Sequence, residues 1–219
     1  MNQWIIPLIA FALITTLGYF QGRKKNRWIS GWIARETEEA LRPKDTRYTN
    51  FGGTIGYNFV YHLEKPFREA KGTFTLLPRQ SILYLPVSLL IAKHDRFYMN
   101  LFVQGKLLGE GHIVSNTYLP KARRTIDGIE SMESEEVYRN NRRYILFWRE
   151  KGMRDRLKAF LDGISHDELL IHFCCYRENK TFFFYLKPRR EKLREFLKSA
   201  LRGLNPFFVK GAGSHESNE

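Results

Sequence analysis

The sequence has few of the residues that bind metals or cross-link a chain. It contains two cysteines, Cys174 and Cys175, and because these are adjacent they cannot form a disulfide framework. A Cys-x-x-Cys, a His-Glu-x-x-His and a calcium-loop pattern are all missing. Phosphate-binding glycine loops and the Gly-x-Ser-x-Gly elbow are missing as well. We therefore expect no metal, no cofactor and no catalytic activity, and the cysteine usage indicates a reducing compartment.

Acidic residues are also few relative to basic ones. Lys and Arg number 36 against 23 Asp and Glu, which gives the 219-residue chain a net charge of +13. Apolar residues make up 43% and aromatic residues 15%, which is too much for a disordered chain. The basic excess predicts an anionic partner, which could be nucleic acid, the ribosome or lipid headgroups.

Residues 4–20 contain no charged side chain. At about 1.5 Å per residue this run covers roughly 26 Å, close to the thickness of a membrane's hydrocarbon core. Trp4 and Tyr19 suit the two headgroup belts. A cleaved signal peptide would begin with basic residues and end in a small-x-small site, and the sequence has neither. The run therefore predicts a single-pass transmembrane anchor.

A basic cluster follows the apolar run directly and consists of Arg23, Lys24, Lys25 and Arg27. By the positive-inside rule, the N-terminus is expected outside and the rest of the chain in the cytoplasm. The membrane would be the cell membrane in a prokaryote and the endoplasmic reticulum in a eukaryote. The cluster either contacts anionic headgroups or only sets this topology.

The remaining pattern predicts a cytoplasmic α+β domain with a mostly antiparallel sheet. We expect four segments: the anchor at 4–20, a basic juxtamembrane helix at 21–42, the α+β domain at 52–204 and a flexible tail at 205–219. Strands are expected at 54–63, 72–77, 97–104, 112–119, 168–176 and 181–186. Helices are expected from Pro78 toward Leu90, across 134–148, at 153–161 and at 188–202, with 125–136 as a surface loop.

Two basic clusters, at 139–158 and 187–202, lie on expected helices and carry most of the positive charge that membrane topology does not explain. Arg-rich helices can contact phosphates without reading base sequence, and no motif for base-specific recognition is present. An ordinary solvated surface is the equally weighted alternative. The candidate contacts to ribosomal RNA or lipid headgroups are Arg142, Arg143, Arg154, Arg156, Lys187, Arg189, Arg190, Lys192, Arg194 and Lys198.

An apolar segment at 81–92 is too short to span a membrane. It is expected either in the core or at the membrane interface. Its candidate contact residues are Ile82, Leu83, Leu85, Leu89 and Leu90.

His172 and Cys174 are the best candidates for enzyme chemistry. They alternate along an expected strand and therefore point to the same face. A nucleophilic cysteine needs an activating base and a cleft, whereas a cysteine among Leu, Ile and Phe is usually a buried core residue. The buried interpretation is favoured.

In its order of features the chain resembles the calumin family, the single-span coiled-coil-domain proteins of the PAT complex at the multipass translocon. The likeness covers the span with residues 22–26, a helix around Trp32, and the segment 77–85, which is similar to the family's LxRQxLLxxL pattern. Asp95, residues 160–161, 167–168 and 171–173, the strand at 182–186 with Pro188, and the last amphipathic helix follow in the same order.

The resemblance implies a non-catalytic, membrane-anchored adaptor or chaperone that assists membrane-protein insertion or folding. Its implied partners are the bilayer, the Sec translocon, the ribosome and nascent membrane proteins, with segment 82–91 shielding a client span. It also implies that Arg79 and Gln80 start a helix. The family's acidic region and long basic coiled coil are missing here, so calcium binding is not implied, and the short form is typical of a prokaryotic, even archaeal, relative. The alternatives are a membrane-tethered scaffold that binds anionic lipid and a membrane-tethered cysteine-dependent enzyme.

Overall fold

A long N-terminal helix precedes the sheet in the computed structural model, which describes residues 4–209. Helix α1 spans Ile5–Leu41, 37 residues without a break, and ends where Arg42 adopts a left-handed backbone conformation. The expected anchor and the expected juxtamembrane helix are therefore parts of one helix. Its first half is exposed, whereas its second half buries Ile29, Trp32 and Ile33 against the sheet domain.

The domain is built on one nine-stranded antiparallel sheet, which confirms the predicted α+β class. The strands run in the order β1-β2-β3-β4-β9-β8-β5-β7-β6. Their bounds are β1 Asp45–Phe51, β2 Gly56–His62, β3 Phe67–Thr75, β4 Arg96–Val103, β5 Gly111–Ser115, β6 Glu133–Arg139, β7 Arg142–Trp148, β8 Leu170–Tyr176 and β9 Thr181–Leu186.

Within residues 4–209, four more α-helices join these strands. They are α2 Leu85–Ala92, α3 Leu119–Thr125, α4 Met153–Gly163 and α5 Lys192–Gly203. The helix expected at 153–161 and the hairpin of β8 and β9 are confirmed. The last helix begins at Lys192, four residues later than expected.

The main core lies between one face of the sheet and helices α1, α4 and α5. Aromatic rings fill its centre, where Phe160 of α4 stacks on Phe173 of β8 with 4.2 Å between ring centroids. A smaller core on the opposite face joins α3 to β5 and β7 through residues such as Ile126 and Phe147. The sheet is therefore covered on both faces at β5 and β7, toward the edge formed by β6.

The segment 133–148, expected as a loop followed by a helix, is instead the hairpin of β6 and β7. Asn140 and Asn141 form its turn, and both have positive φ, as the tight turn of a two-residue hairpin requires. The Asn-Asn pair was the local signal for this turn. Strand β1 at 45–51 was also not expected.

The helix expected from Pro78 begins only at Leu85, because residues 78–84 form turns. Pro86 lies in the first turn of α2, so it helps to start this helix rather than to kink it. Residues 205–209, expected in the tail, pack on the domain: Phe207 is fully buried and Phe208 bridges to Leu107. The rest of the expected tail, 210–219, lies outside the described residues.

Candidate membrane-facing site

The first half of α1 is exposed to its surroundings although it is apolar. It is long and apolar enough to cross a membrane, and only 6% of its most apolar stretch is buried inside the protein. A core helix of similar composition would be mostly buried, so the domain does not account for this surface.

A second apolar surface is formed by segment 82–91, which contains the end of the turn at 78–84 and nearly all of α2. Leu83 is 69% exposed, Leu90 is 79% exposed and Ile91 is 70% exposed. A helix that faces water carries polar residues on its exposed side, whereas α2 is apolar on nearly every side. The segment therefore matches an apolar environment better than water.

Close packing fixes the turn at 78–84, which leads into α2, to α1. Gly22 of α1 is buried and lies directly against the backbone of Arg79 and Gln80, with no room for a side chain. One turn earlier, Gly18 faces the side chain of Ile82. The two glycines allow the turn at 78–84 to approach the helix backbone.

Polar side chains also hold the turn against α1, and we call Asn26, Arg79, Gln80 and Asp95 the polar clamp. Asn26, which is fully buried, donates to the carbonyl of Leu77 at 2.9 Å and to the side chain of Gln80 at 3.2 Å. Arg79 donates to Asn26 at 3.0 Å and forms a two-bond ion pair with Asp95 at 2.9 and 2.8 Å. Asp95 also accepts from the backbone N–H of Leu77 at 2.8 Å. Every polar atom named here has a partner, so the clamp holds one geometry.

These contacts correct the role expected for Arg79 and Gln80. Both lie in the turn at 78–84 and bind α1 and Asp95, and neither starts a helix. Sequence reasoning missed Asn26, because its partners are more than 50 residues away in the chain.

A groove of about 380 Å³ separates α1 from the turn. Of the candidate client-contact residues, Ile82 and Leu83 line it. Leu89 and Leu90 are exposed elsewhere on α2, and Leu85 is half-buried, so the five do not form a single groove. The groove is lined by Thr15, Thr16, Tyr19, Phe20, Gln80, Ser81, Ile82 and Leu83.

The basic cluster after the apolar stretch lies on α1 at the level of this turn. Arg23 donates to the hydroxyl of Tyr19 at 3.1 Å and lies over its ring. Lys24, Lys25 and Arg27 are exposed. The change from apolar to basic surface therefore occurs at the same place on α1 where the turn at 78–84 docks.

The two larger basic groups lie only partly on helices: Lys192, Arg194 and Lys198 are on α5, as expected, whereas part of the first group lies on a strand. Arg142 and Arg143 belong to strand β7, and Arg143 pairs with Glu136 across the hairpin at 2.5 Å. Arg154 and Arg156 do lie on a helix, α4, but Arg154 pairs with Glu135, and Arg156 donates to the carbonyl of Pro206 at 2.8 Å. Much of the charge in the first group is therefore compensated internally.

The second group is partly compensated in the same way. Lys192 pairs with Glu168 at 2.7 Å and Arg194 pairs with Glu39 of α1 at 2.9 Å. Arg190 lies over the ring of Trp28 and near Glu191. In the described part of the chain, Arg142, Lys187, Arg189 and Lys198 have no carboxylate partner within 4.0 Å.

The enzyme candidates His172 and Cys174 do lie on one face of β8, as expected, but both are buried. His172 bonds to His112 of β5 at 3.1 Å, and Cys174 lies 3.9 Å from the other nitrogen of His112. Burial raises the pKa of Cys174 well above its usual range, so the sulfur is a thiol at neutral pH, unlike an activated nucleophile. His112 could be found only from strand register, since β5 pairs with β8.

We expect His172 to make stability depend on pH. Burial, followed by the nearby His112, lowers the pKa of His172 from 6.5 to about 3. Below pH 6.5 the unfolded chain binds a proton that the folded chain excludes, so this contribution is complete above pH 6.5 and is lost as pH falls toward 3. Unfolding titrations between pH 6 and 4 should lose about 1.4 kcal/mol per pH unit more in the wild type than in His172→Gln. Equal slopes in the two proteins would contradict the assignment.

No known family model and no curated protein match this chain, so its function has to be argued from this geometry.

Proposed function

We propose that the protein is a membrane-anchored, non-catalytic adaptor that assists the insertion or folding of other membrane proteins. The observation that carries this proposal is segment 82–91, whose apolar side chains are exposed directly after a turn that packs tightly against α1. If α1 spans the bilayer through its first half, the segment lies at the interface beside the span. There it offers an apolar surface to the transmembrane segment of a client.

Orientation follows from charge. With Arg23, Lys24, Lys25 and Arg27 on the cytoplasmic side, the sheet domain faces the cytoplasm. The resemblance to the calumin family supports a position beside the Sec translocon and the ribosome. The exposed basic residues without a carboxylate partner, Arg189 and Lys198 among them, are the best candidates for contacts to ribosomal RNA.

Site-specific photo-crosslinking in native membranes tests the client surface. A photoreactive residue at Leu83 or Leu90 should crosslink to other membrane proteins, because both side chains are largely exposed beside α1. The matched control is Tyr138 of β6, which is 71% exposed but belongs to the distant edge of the sheet. Crosslinks from Leu83 and Leu90 to lipid alone, or equal protein crosslinks from Tyr138, would contradict the proposal.

A generic scaffold that binds anionic lipid is the second candidate. It is favoured by Lys24, Lys25 and Arg27, which are exposed on α1 directly after its apolar half, where anionic headgroups would lie. Two assays together distinguish these functions: ribosome co-sedimentation at low and high salt, and liposome flotation with and without anionic lipid. Salt-sensitive ribosome binding supports the adaptor at the translocon, whereas flotation that depends on anionic lipid without ribosome binding supports the scaffold.

A further inference from the structure

Two basic residues lie at the end of the sheet where the chain enters β4 from α2. Arg96 is the first residue of β4, and Lys187 directly follows the last residue of β9. Since Phe97 pairs with Leu186 and Tyr98 with Tyr185, the same antiparallel register sets Arg96 opposite Lys187, on the face that carries Tyr98 and Tyr185. Two like charges at directly opposite positions destabilise a sheet unless something compensates them.

Nothing in the described part of the chain compensates this pair. Neither Arg96 nor Lys187 has a carboxylate within 4.0 Å. Asp95, the nearest acidic neighbour in the chain, is bound by Arg79 and by the N–H of Leu77. The Nε of Arg96 is buried and has no hydrogen-bond partner among residues 4–209. A buried, unsatisfied donor on a cation is costly and is uncommon in native structures.

The surroundings of Arg96 are aromatic and can donate hydrogen bonds. The rings of Tyr98 and Tyr185 stack with 4.5 Å between centroids, and Tyr118 packs edge-on against Tyr185 at 5.3 Å. Burial raises the pKa of Tyr185 and of Tyr118, while the positive charge of Arg96 acts in the opposite direction on both, so both of these phenols are protonated near the guanidinium. Burial, with Lys187 and Arg96 adding to it, also lowers the pKa of His94.

This combination of an unpaired guanidinium, an ammonium group and phenol donors matches the chemistry of a phosphate group. A guanidinium binds two oxygens of a phosphate at once, and the lysine adds a second positive charge. Arg96, Lys187 and His94 are each partly exposed, so a ligand can reach the atoms of these side chains other than the buried Nε of Arg96.

We propose that Arg96 and Lys187, with the neighbouring tyrosine hydroxyls, bind a phosphate group. Such a group can come from a lipid headgroup or from free phosphate. The site follows α2 by only three residues, so the proposed interfacial position of α2 would bring lipid phosphates to it. The lipid source thus rests on the proposed function, whereas the phosphate site itself does not.

Calorimetric titration of the full chain in phosphate-free dodecyl maltoside micelles tests the site. The two probes are dihexanoyl phosphatidic acid, a short-chain lipid, and inorganic phosphate. We expect the wild type to bind the short-chain lipid, and Arg96→Gln and Lys187→Gln to bind it at least about tenfold more weakly. Arg96→Lys keeps the charge but loses the two-oxygen geometry, and should bind with intermediate affinity.

The matched control is Lys106→Gln, which removes one exposed charge beyond the opposite end of β4 and should bind like the wild type. Unfolding curves of each variant separate a loss of binding from a loss of folding. If inorganic phosphate binds as tightly as the short-chain lipid, the lipid source is wrong and the site takes free phosphate. If folded Arg96→Gln binds both probes as well as the wild type does, the site itself is overturned. Neither result depends on client crosslinking, so this proposal and the proposed function can fail separately.

Discussion

Replacing Gly22 with alanine is expected to destabilise the folded protein by about 3 kcal/mol and to release the turn at 78–84 from α1. A Cβ at this position would overlap the carbonyl group of Arg79 and the amide nitrogen of Gln80. These are backbone atoms of a turn that Asn26 and Asp95 hold at Leu77, so they cannot move aside as the end of a flexible side chain could. The clash should therefore separate the two segments.

Gly31→Ala is the matched control for this change. Gly31 belongs to the same helix, and a Cβ there meets no other atom within 4 Å. Since alanine favours a helix over glycine, this variant should be more stable than the wild type by about 0.5–1 kcal/mol. Chemical unfolding in detergent measures both, and limited proteolysis reports release of the turn. Similar shifts in the two variants would mean that Gly22 does not form a close contact.

Asp95→Ala is expected to have an effect of similar or larger size, with a loss of about 3–5 kcal/mol. The side chains of Arg79 and Asp95 are only 18% and 15% exposed, so removing the carboxylate leaves a cation with little access to water. The N–H of Leu77 loses its acceptor as well. The expected result is a lower free energy of unfolding, together with new protease cleavage between residues 77 and 95.

Glu64→Ala provides the comparison for the ion pair. Glu64 pairs with Lys44 at 3.2 Å, but both side chains are well exposed, so its removal should change stability by at most about 1 kcal/mol. Equal losses in Asp95→Ala and Glu64→Ala would show that the clamp is no stronger than a surface ion pair.

The local sequence pattern was sufficient to predict a helix or strand when the signal lay within that element itself. The apolar run of α1, the amphipathic face of α4 and the two apolar strands around the turn at 177–180 are of this kind. It failed for β6 and β7, because the scattered apolar residues at 137–148 fit a helical period as well as a strand period. The turn residues Asn140 and Asn141 decided the outcome.

The candidate site was less predictable, because its contacts join distant parts of the chain. The exposure of segment 82–91 could be anticipated as one of two alternatives. The partners of Asn26 and the pairing of His112 with His172 require the docking of α1 and the strand order, which a single sequence does not reveal. Charge counting also overestimated the free basic surface, since it could not identify the partners of Arg154 and Arg194.

The continuity of α1 has a mechanical consequence. The helix is about 55 Å long at 1.5 Å per residue, and no linker separates its apolar half from the half that packs in the domain. Glu36, near its far end, accepts backbone N–H groups from Glu191 and Arg194, which ties α1 to the start of α5. When the apolar half of α1 tilts, the sheet domain is therefore expected to tilt with it. A force on the domain likewise acts on the apolar half.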